Sequence, residues 1–194
     1  YVRKAQYQYG WDWAAKLLTA GIWRDVKLVA YDKAVIRDVF LYTRKIEGGN
    51  ADMVVRVEVE SLGDHEAEVE VKGICGESKF NAGGRVSLKK GLNRFEWEVK
   101  VENAKLWWPR GYGPQNLYDV TVKVLVSGEV ADERSARFGI RTVKLVTESD
   151  ETPNGKVFYF KVNGVKVFAK GANWIPADLL ISRMTRDRYR ELLE

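Results

Sequence analysis

The stretch Met53-Val54-Val55-Arg56-Val57-Glu58-Val59 decides the fold class, because apolar and charged side chains alternate along it. Successive side chains of a β-strand point to opposite faces, so a period of two gives one apolar and one charged face. Similar alternation recurs at residues 22–30, 35–42, 67–71, 85–88, 94–101 and 117–126. The pattern predicts short strands from residue 22 to residue 170 and no helix of useful length there.

Polar, glycine-rich clusters separate these strands at residues 47–50, 62–64, 81–84 and 89–91. About seven short strands with a turn signal every eight to twelve residues are typical of an antiparallel β-sandwich. The sequence therefore predicts an all-β fold with an immunoglobulin-like antiparallel β-sandwich at its centre.

The two ends of the chain differ from this pattern. Residues 1–21 are aromatic and irregular, as expected for the last piece of a preceding domain. The polar residues 147–155 predict a linker, and Asn163-Gly164 between two alternating runs predicts a hairpin. Thr185 is the expected N-cap of a final helix, with Asp187 at its positive end. A strand, a loop and a helix in this order indicate the first unit of an α/β architecture.

Composition excludes several classes of function. The net charge is +5, but Lys and Arg alternate with Glu instead of clustering, so we expect no nucleic-acid partner. No apolar run is long enough to cross a bilayer, and His65 stands alone between two acidic residues, so neither a membrane partner nor a metal site is expected. No cofactor is expected.

The single Cys75 cannot form an internal disulfide, which favours the cytoplasm. Because the chain does not begin with Met, we expect its natural start to be missing, and secretion stays open.

Three motifs have the chemistry of a binding site. The first is Gly10-Trp11-Asp12-Trp13, followed by Gly21-Ile22-Trp23-Arg24. Aromatic faces pack on pyranose rings, and a carboxylate accepts hydrogen bonds from vicinal hydroxyls. Sugar binding by Trp11 and Asp12 is one explanation. Packing between domains, with local backbone donors satisfying Asp12, is the other, and residue chemistry alone does not separate them.

The other two motifs are loops. Residues 106–118 contain Trp107-Trp108-Pro109-Arg110, where either a Trp fills the sandwich core or Arg110 or Tyr112 reaches a neighbouring pocket. Residues 170–178 contain Asn173, Trp174 and Asp178 and follow a strand that precedes a helix. In a βα barrel this is the face on which active sites are built. A substrate contact and a buried Asn that ties down loop backbone both stay open for this segment.

Taken in order, these motifs, with Phe138-Gly139-Ile140-Arg141 and Asn163-Gly164, resemble glycoside hydrolase family 2, in its β-mannosidase branch. The resemblance implies three parts: residues 1–31 end a sugar-binding β-domain, 32–146 form the immunoglobulin-like sandwich, and 147–194 form the entry hairpin and first βα unit of a truncated TIM barrel. Many family members carry a His at the position of Ile175, and the Trp174-Ile175 pair is the mannosidase-like version.

The resemblance also implies a function and a site. The parent would be a retaining exo-glycosidase that hydrolyses terminal β-D-mannosides, with Trp11, Asp12, Asn173 and Trp174 as substrate-binding residues. Both catalytic glutamates would lie beyond Glu194, so this chain alone would be non-catalytic. Ala14-Ala15 and Leu179-Leu180-Ile181 depart from the family pattern and bear on the shape of the sugar pocket.

Alternatives remain for this function. The chain could belong to an exo-β-glucosaminidase or a β-galactosidase-like member of the same family, with another oligosaccharide as substrate. It could also be a stand-alone carbohydrate-binding sandwich. The sequence does not set the oligomeric state.

Overall fold

The structure, a computed structural model, describes residues 3–149, 151–152 and 154–194. It contains two compact units: Ala30–Ala169 form one, and Tyr1–Val29 together with Lys170–Glu194 form the other. The division of the chain at residues 31 and 146 that the sequence suggested stays a prediction.

The larger unit is built from antiparallel strands in two main sheets, which confirms the all-β sandwich. The strands of these sheets are β1 (Ala34–Glu47), β2 (Asn50–Ser61), β3 (His65–Cys75), β4 (Ser78–Leu88), β5 (Gly91–Val101), β6 (Tyr118–Val126) and β7 (Glu129–Phe138). One sheet has the order β1-β2-β5 and the other the order β4-β3-β6-β7. The backbone N–H of Ile36 donates to Asp132 Oδ2 at 2.7 Å and so links the two sheets.

The core lies between the two sheets and consists mainly of valines at alternate positions. Val55, Val57 and Val59 of β2 are fully buried and belong to one cluster with residues of β3 and β6, namely Val69, Val71, Val120, Val122 and Val124. Full burial of such a side chain is worth about 1.5–3 kcal/mol. The alternation that predicted the strands is thus the pattern that fills the core.

A polar cluster predicted as a turn, residues 81–84, lies inside β4, and that prediction was wrong. The chain turns earlier, at Gly76 and Glu77, and β4 pairs with β3 without a break from Ser78 to Leu88. Gly83 has φ of +112°, and a Cβ there would lie 1.9 Å from the carbonyl oxygen of Val69. Gly83 lets strands β3 and β4 approach each other closely. A glycine-rich segment of this kind looks the same in sequence as one that forms a turn.

A third, small sheet follows the sandwich, with strand order β10-β9-β8. Its strands are β8 (Val143–Val146), β9 (Tyr159–Val162) and β10 (Val165–Val167). The predicted hairpin is confirmed, since β9 and β10 are joined by Asn163 and Gly164 with φ of +49° and +81°. The predicted linker before it includes positions 150 and 153, which lie outside the described residues.

The two faces of this small sheet differ in chemistry. Lys144, Lys161 and Lys166 lie directly opposite one another in a single row across the three strands. The Nζ of Lys166 is 4.4 Å from the ring centroid of Tyr159. The neighbouring rows of the sheet are apolar, for example Leu145, Phe160 and Val167.

The loop between β5 and β6 is held to the core by a tyrosine instead of a tryptophan. The hydroxyl of the fully buried Tyr118 lies 2.7 Å from Ser78 Oγ and accepts a hydrogen bond from the Lys105 N–H at 2.9 Å. Trp107 and Trp108 are only half-buried, so the expectation that a Trp fills the core was wrong.

The loop tryptophans pack locally. The Trp107 ring lies 4.9 Å from the Arg141 guanidinium. Of the two side chains proposed to reach outward, Arg110 is exposed, and the Tyr112 hydroxyl accepts from the Phe168 N–H at 2.8 Å. Tyr112 therefore ties the loop to the end of the β9–β10 hairpin.

The strand predicted at residues 22–30 is not present, and none of the strands of the described residues pairs with this segment. Strands β7 and β8 were not predicted. By contrast, the final helix α1 (Arg186–Leu193) confirms its predicted start, since the Arg188 N–H donates to Thr185 Oγ1 at 3.2 Å.

We predict that Gly83→Ala destabilises the protein far more than Gly48→Ala. Both glycines have positive φ, so both substitutions carry the left-handed penalty, but only Gly83 lacks room for a Cβ. The expected difference in the free energy of unfolding is at least about 2 kcal/mol, the typical cost of forcing atoms into a packed site. Urea unfolding of both variants measures it, and equal losses would contradict the close approach of Gly83 to Val69.

Candidate functional site

The first motif forms a tight turn in the smaller unit. Trp11 and Ala14 exchange two backbone hydrogen bonds of 3.0 and 3.2 Å, which places Asp12 and Trp13 at the tip. Asp12 is exposed, and Trp11 is 59% exposed. Within the described part of the chain, the Asp12 carboxylate makes no hydrogen bond or ion pair. The local backbone donors of the packing explanation are therefore not found here, and the carboxylate can accept hydrogen bonds from a ligand.

Aromatic side chains precede and follow this turn in the sequence. A short 3₁₀ helix, Gln6–Tyr9, precedes it, and the Tyr7 ring lies 5.3 Å from the Trp13 ring between centroids. Further along, the Arg24 guanidinium lies 4.6 Å above the Trp23 ring. Trp23 is 55% exposed.

The third motif belongs to the same compact unit. Asn173 and Trp174 lie in an irregular segment between β10 and a 3₁₀ helix at Ile181–Arg183, and both are exposed. Among residues 3–149, 151–152 and 154–194, neither side chain has a hydrogen bond or a ring contact. All four predicted sugar contacts thus lie in one unit with free polar or aromatic groups. Among the described residues, no hydrogen bond or ring contact joins the pair Trp11 and Asp12 to the pair Asn173 and Trp174, and their role stays a prediction.

Asp178, at the end of the third motif, is held in place. Its Oδ1 accepts from the Leu180 N–H at 2.7 Å, and its Oδ2 lies 2.7 Å from a guanidinium nitrogen of Arg183. The hydrogen bond from Arg183 lowers the pKa of the Asp178 carboxyl, and the Leu180 N–H lowers it further. This carboxylate fixes the shape of its own loop, whereas the Asp12 carboxylate has no partner in the part of the chain that the structure describes.

A cavity of about 540 Å³ opens in the same unit between the N-terminal segment and the loop after Asp178. Its lining includes Tyr7, Gln8, Thr19, Trp23, Leu180 and Ser182. Trp23 and Leu180 belong to segments that were singled out from the sequence, whereas Tyr7, Gln8, Thr19 and Ser182 were missed. The alternation of amide and aromatic side chains in Gln6-Tyr7-Gln8-Tyr9 was the available signal.

The described residues contain no group of three side chains able to hold a metal ion. In the same part of the chain, no helix has the length and hydropathy needed to cross a membrane.

Comparison with known proteins defines the family. A sequence model for glycosyl hydrolases family 2 matches residues 34–141, more than half of the chain. The chain belongs to glycosyl hydrolase family 2. A second model, for the glycosyl hydrolase 2 galactose-binding domain-like region, matches residues 1–24.

Individual relatives identify the branch. Beta-mannosidase B of Emericella nidulans is 39% identical over 194 residues, which cover 100% of this chain and 22% of the relative. The crystal structure of β-D-mannosidase from Dictyoglomus thermophilum superposes with a TM-score of 0.88 at 38% identity, covering 98% of this chain and 23% of that one. The resemblance to the β-mannosidase branch is confirmed. This chain spans about a fifth of the length of these relatives.

Another solved structure, with lower sequence identity, resembles this chain only in its fold. The exo-chitosanase of Amycolatopsis orientalis has a TM-score of 0.63 at 23% identity, covering 84% of this chain and 18% of that one.

We predict that Arg183→Met raises the pKa of the Asp178 carboxyl toward its ordinary value, because Arg183 is the largest cause of the lowering. The shift stays incomplete, since the Leu180 N–H still donates. A lowered pKa means that the carboxylate stabilises the folded chain above its unfolded pKa and loses that effect as pH falls through the folded value. NMR titration of the Asp178 carboxyl carbon in both proteins measures the shift, and identical titration curves would show that the ion pair does not form.

Proposed function

We propose that this chain is part of a retaining, exo-acting β-mannosidase, which releases terminal β-D-mannose from oligosaccharides. The observation that carries the proposal is the superposition of almost the whole chain on a β-D-mannosidase at 38% identity. The Trp174-Ile175 pair of the third motif supports the same branch.

The proposal includes an assignment of parts. The larger unit is taken as an immunoglobulin-like sandwich, supported by its three-stranded and four-stranded antiparallel sheets. Residues 147–194 are taken as the entry hairpin and the first βα unit of a TIM barrel, supported by the order of the β9–β10 hairpin, the third motif and helix α1. Residues 1–31 then end a sugar-binding domain.

Within this proposal the chain binds and orients the terminal sugar. Asp12 accepts hydrogen bonds from vicinal hydroxyls, and Trp11 offers a ring face. Asn173 and Trp174 supply an amide and a second aromatic ring at the carboxyl side of the first barrel strand, where barrel enzymes build their sites. Such contacts to non-reacting hydroxyls help to distort and orient the substrate in the transition state.

No residue of this chain is assigned a catalytic role. A retaining glycosidase needs two carboxyl groups about 5–5.5 Å apart, one as nucleophile and one as acid/base. Asp178 is engaged by Arg183 and the Leu180 N–H, and Asp12 is proposed to bind hydroxyls. We assign both catalytic carboxylates to the part of the parent protein outside this chain, and its chemistry therefore depends on that part.

The substrate is tested with the full-length parent protein and a matched panel of aryl glycosides. The panel contains the β-mannoside, β-galactoside, β-glucuronide and β-glucosaminide. We expect clear preference for the β-mannoside. Preference for another sugar would replace the mannoside within the same family, and no turnover at all would favour a stand-alone carbohydrate-binding sandwich.

We predict that Asp12→Ala in the full-length protein lowers kcat/KM for the aryl β-mannoside by about 100-fold. Loss of a charged hydrogen-bond acceptor costs about 1.5–3 kcal/mol, and each 1.4 kcal/mol is tenfold. Asp25→Ala is the matched control, because Asp25 is an exposed carboxylate in the same segment that does not line the cavity. Its kcat/KM should not change. An Asp12→Ala enzyme with wild-type kcat/KM and an unaltered melting temperature would remove Asp12 from the site.

A further inference from the structure

The chain contains two Asn-Gly pairs, Asn154-Gly155 and Asn163-Gly164, and both lie outside the segments proposed to bind the sugar. Asn followed by Gly is the pair most prone to spontaneous deamidation, because glycine has no side chain to hinder attack of its backbone nitrogen on the asparagine side chain. The two asparagines also share a left-handed backbone, with φ of +66° and +49°. Sequence and φ therefore do not distinguish them, and a difference in reactivity has to come from their surroundings.

The side chain of Asn163 is engaged at both ends of its amide. Its Oδ1 accepts from the Thr142 N–H at 2.9 Å, and its Nδ2 donates to the Trp107 carbonyl oxygen at 3.0 Å. Attack by the Gly164 nitrogen requires the Asn163 side chain to turn away from both partners. That movement leaves a partly buried N–H and a partly buried carbonyl unpaired, which opposes the reaction. These two hydrogen bonds therefore lock the side chain against deamidation.

The side chain of Asn154 has no such restraint. It is exposed, and it makes no hydrogen bond with any other residue that the structure describes. The Gly155 N–H donates to the Thr152 carbonyl oxygen at 3.0 Å, so the attacking nitrogen must first leave this one bond. A single backbone bond in an exposed loop opens readily in local fluctuations. The Asn154 amide is therefore free to reach the nitrogen of its neighbour.

We propose that Asn154 is a site of spontaneous deamidation and that the folded structure protects Asn163 from the same reaction. The Gly155 nitrogen loses its proton and bonds to Cγ of Asn154, while the bond from Cγ to Nδ2 breaks and the amide nitrogen leaves with a proton as ammonia. Water then opens the cyclic imide at either carbonyl, which gives aspartate or isoaspartate. A neutral amide becomes a carboxylate, and isoaspartate also lengthens the backbone by a methylene group.

The positions of the two pairs give this difference a structural meaning. Asn163 forms the turn between β9 and β10, where an added methylene would disturb the register of Val162 with Val165. Asn154 lies in the polar segment between β8 and β9, outside both strands. Modification there adds a negative charge to a loop and leaves the strand pairing of the small sheet intact.

The test is a time course of the full-length protein at mildly alkaline pH, in buffer and in concentrated urea. Trypsin releases the two asparagines on separate peptides, residues 145–156 and 162–166, and mass spectrometry measures the modified fraction of each. In buffer we expect Asn154 to react at least about tenfold faster than Asn163. This factor corresponds to about 1.4 kcal/mol, the scale of one such hydrogen bond. In urea the hydrogen bonds of Asn163 are lost, and the two rates should become similar.

Asn154→Gln is the matched control, because a longer side chain forms its cyclic imide far more slowly. Its peptide should stay unmodified in buffer, while the rate at Asn163 should not change. Equal rates at the two asparagines in buffer would overturn the proposal, as would an Asn154 that stays unmodified in buffer while the unfolded chain reacts. A difference that persists in urea would also overturn it, because the folded structure would then not be the cause. None of these outcomes depends on the proposed glycosidase activity.

Discussion

The buried hydroxyl of Tyr118 connects three parts of the sandwich that are distant in sequence. It lies within hydrogen-bonding distance of Ser78 at the start of β4 and of the Lys105 N–H in the loop after β5, while its own backbone starts β6. A buried hydroxyl without partners would cost about 1–3 kcal/mol, so all three groups are constrained together. The loop they anchor carries Tyr112, which binds the backbone at Phe168. The chain enters the third motif immediately after that point.

Much of the sandwich could be predicted because its core has a simple pattern. In β2 from Ala51 to Val59, and throughout β6, every second residue is a buried valine or another apolar residue, and this period is visible without a structure. Strand β7 was missed because its residues, Glu129–Phe138, are mostly charged or small and only partly buried. It forms because β6 offers it a full set of backbone partners, which is a tertiary effect. Gly83 was assigned to a turn for a related reason, since its neighbour Val69 is distant in sequence.

The candidate site, like the sandwich, could be predicted from the sequence only in part. Trp11, Asp12, Asn173 and Trp174 were recognisable because unusual residue types stand close together in sequence. Among the described residues, Asp12 has no hydrogen-bond or ion-pair partner, whereas Asp178 is paired with Arg183. This difference depends on loop geometry, and nothing in the residue types distinguishes the two carboxylates. The cavity lining was harder still, because Gln8, Thr19 and Ser182 are ordinary residues that come to line one cavity only when separate segments meet.

The row formed by Lys144, Lys161 and Lys166 has a consequence for the small sheet that leads toward the third motif. Like charges directly opposite one another on neighbouring strands oppose their pairing. Dissolved ions shorten the range of this repulsion to about 8 Å at physiological ionic strength and to about 30 Å at 0.01 M. The Asn163-Gly164 turn and the apolar rows hold the strands together against it. The cohesion of this sheet is therefore set partly by the surrounding electrolyte, and dilute buffer is the condition in which its strands are held together least firmly.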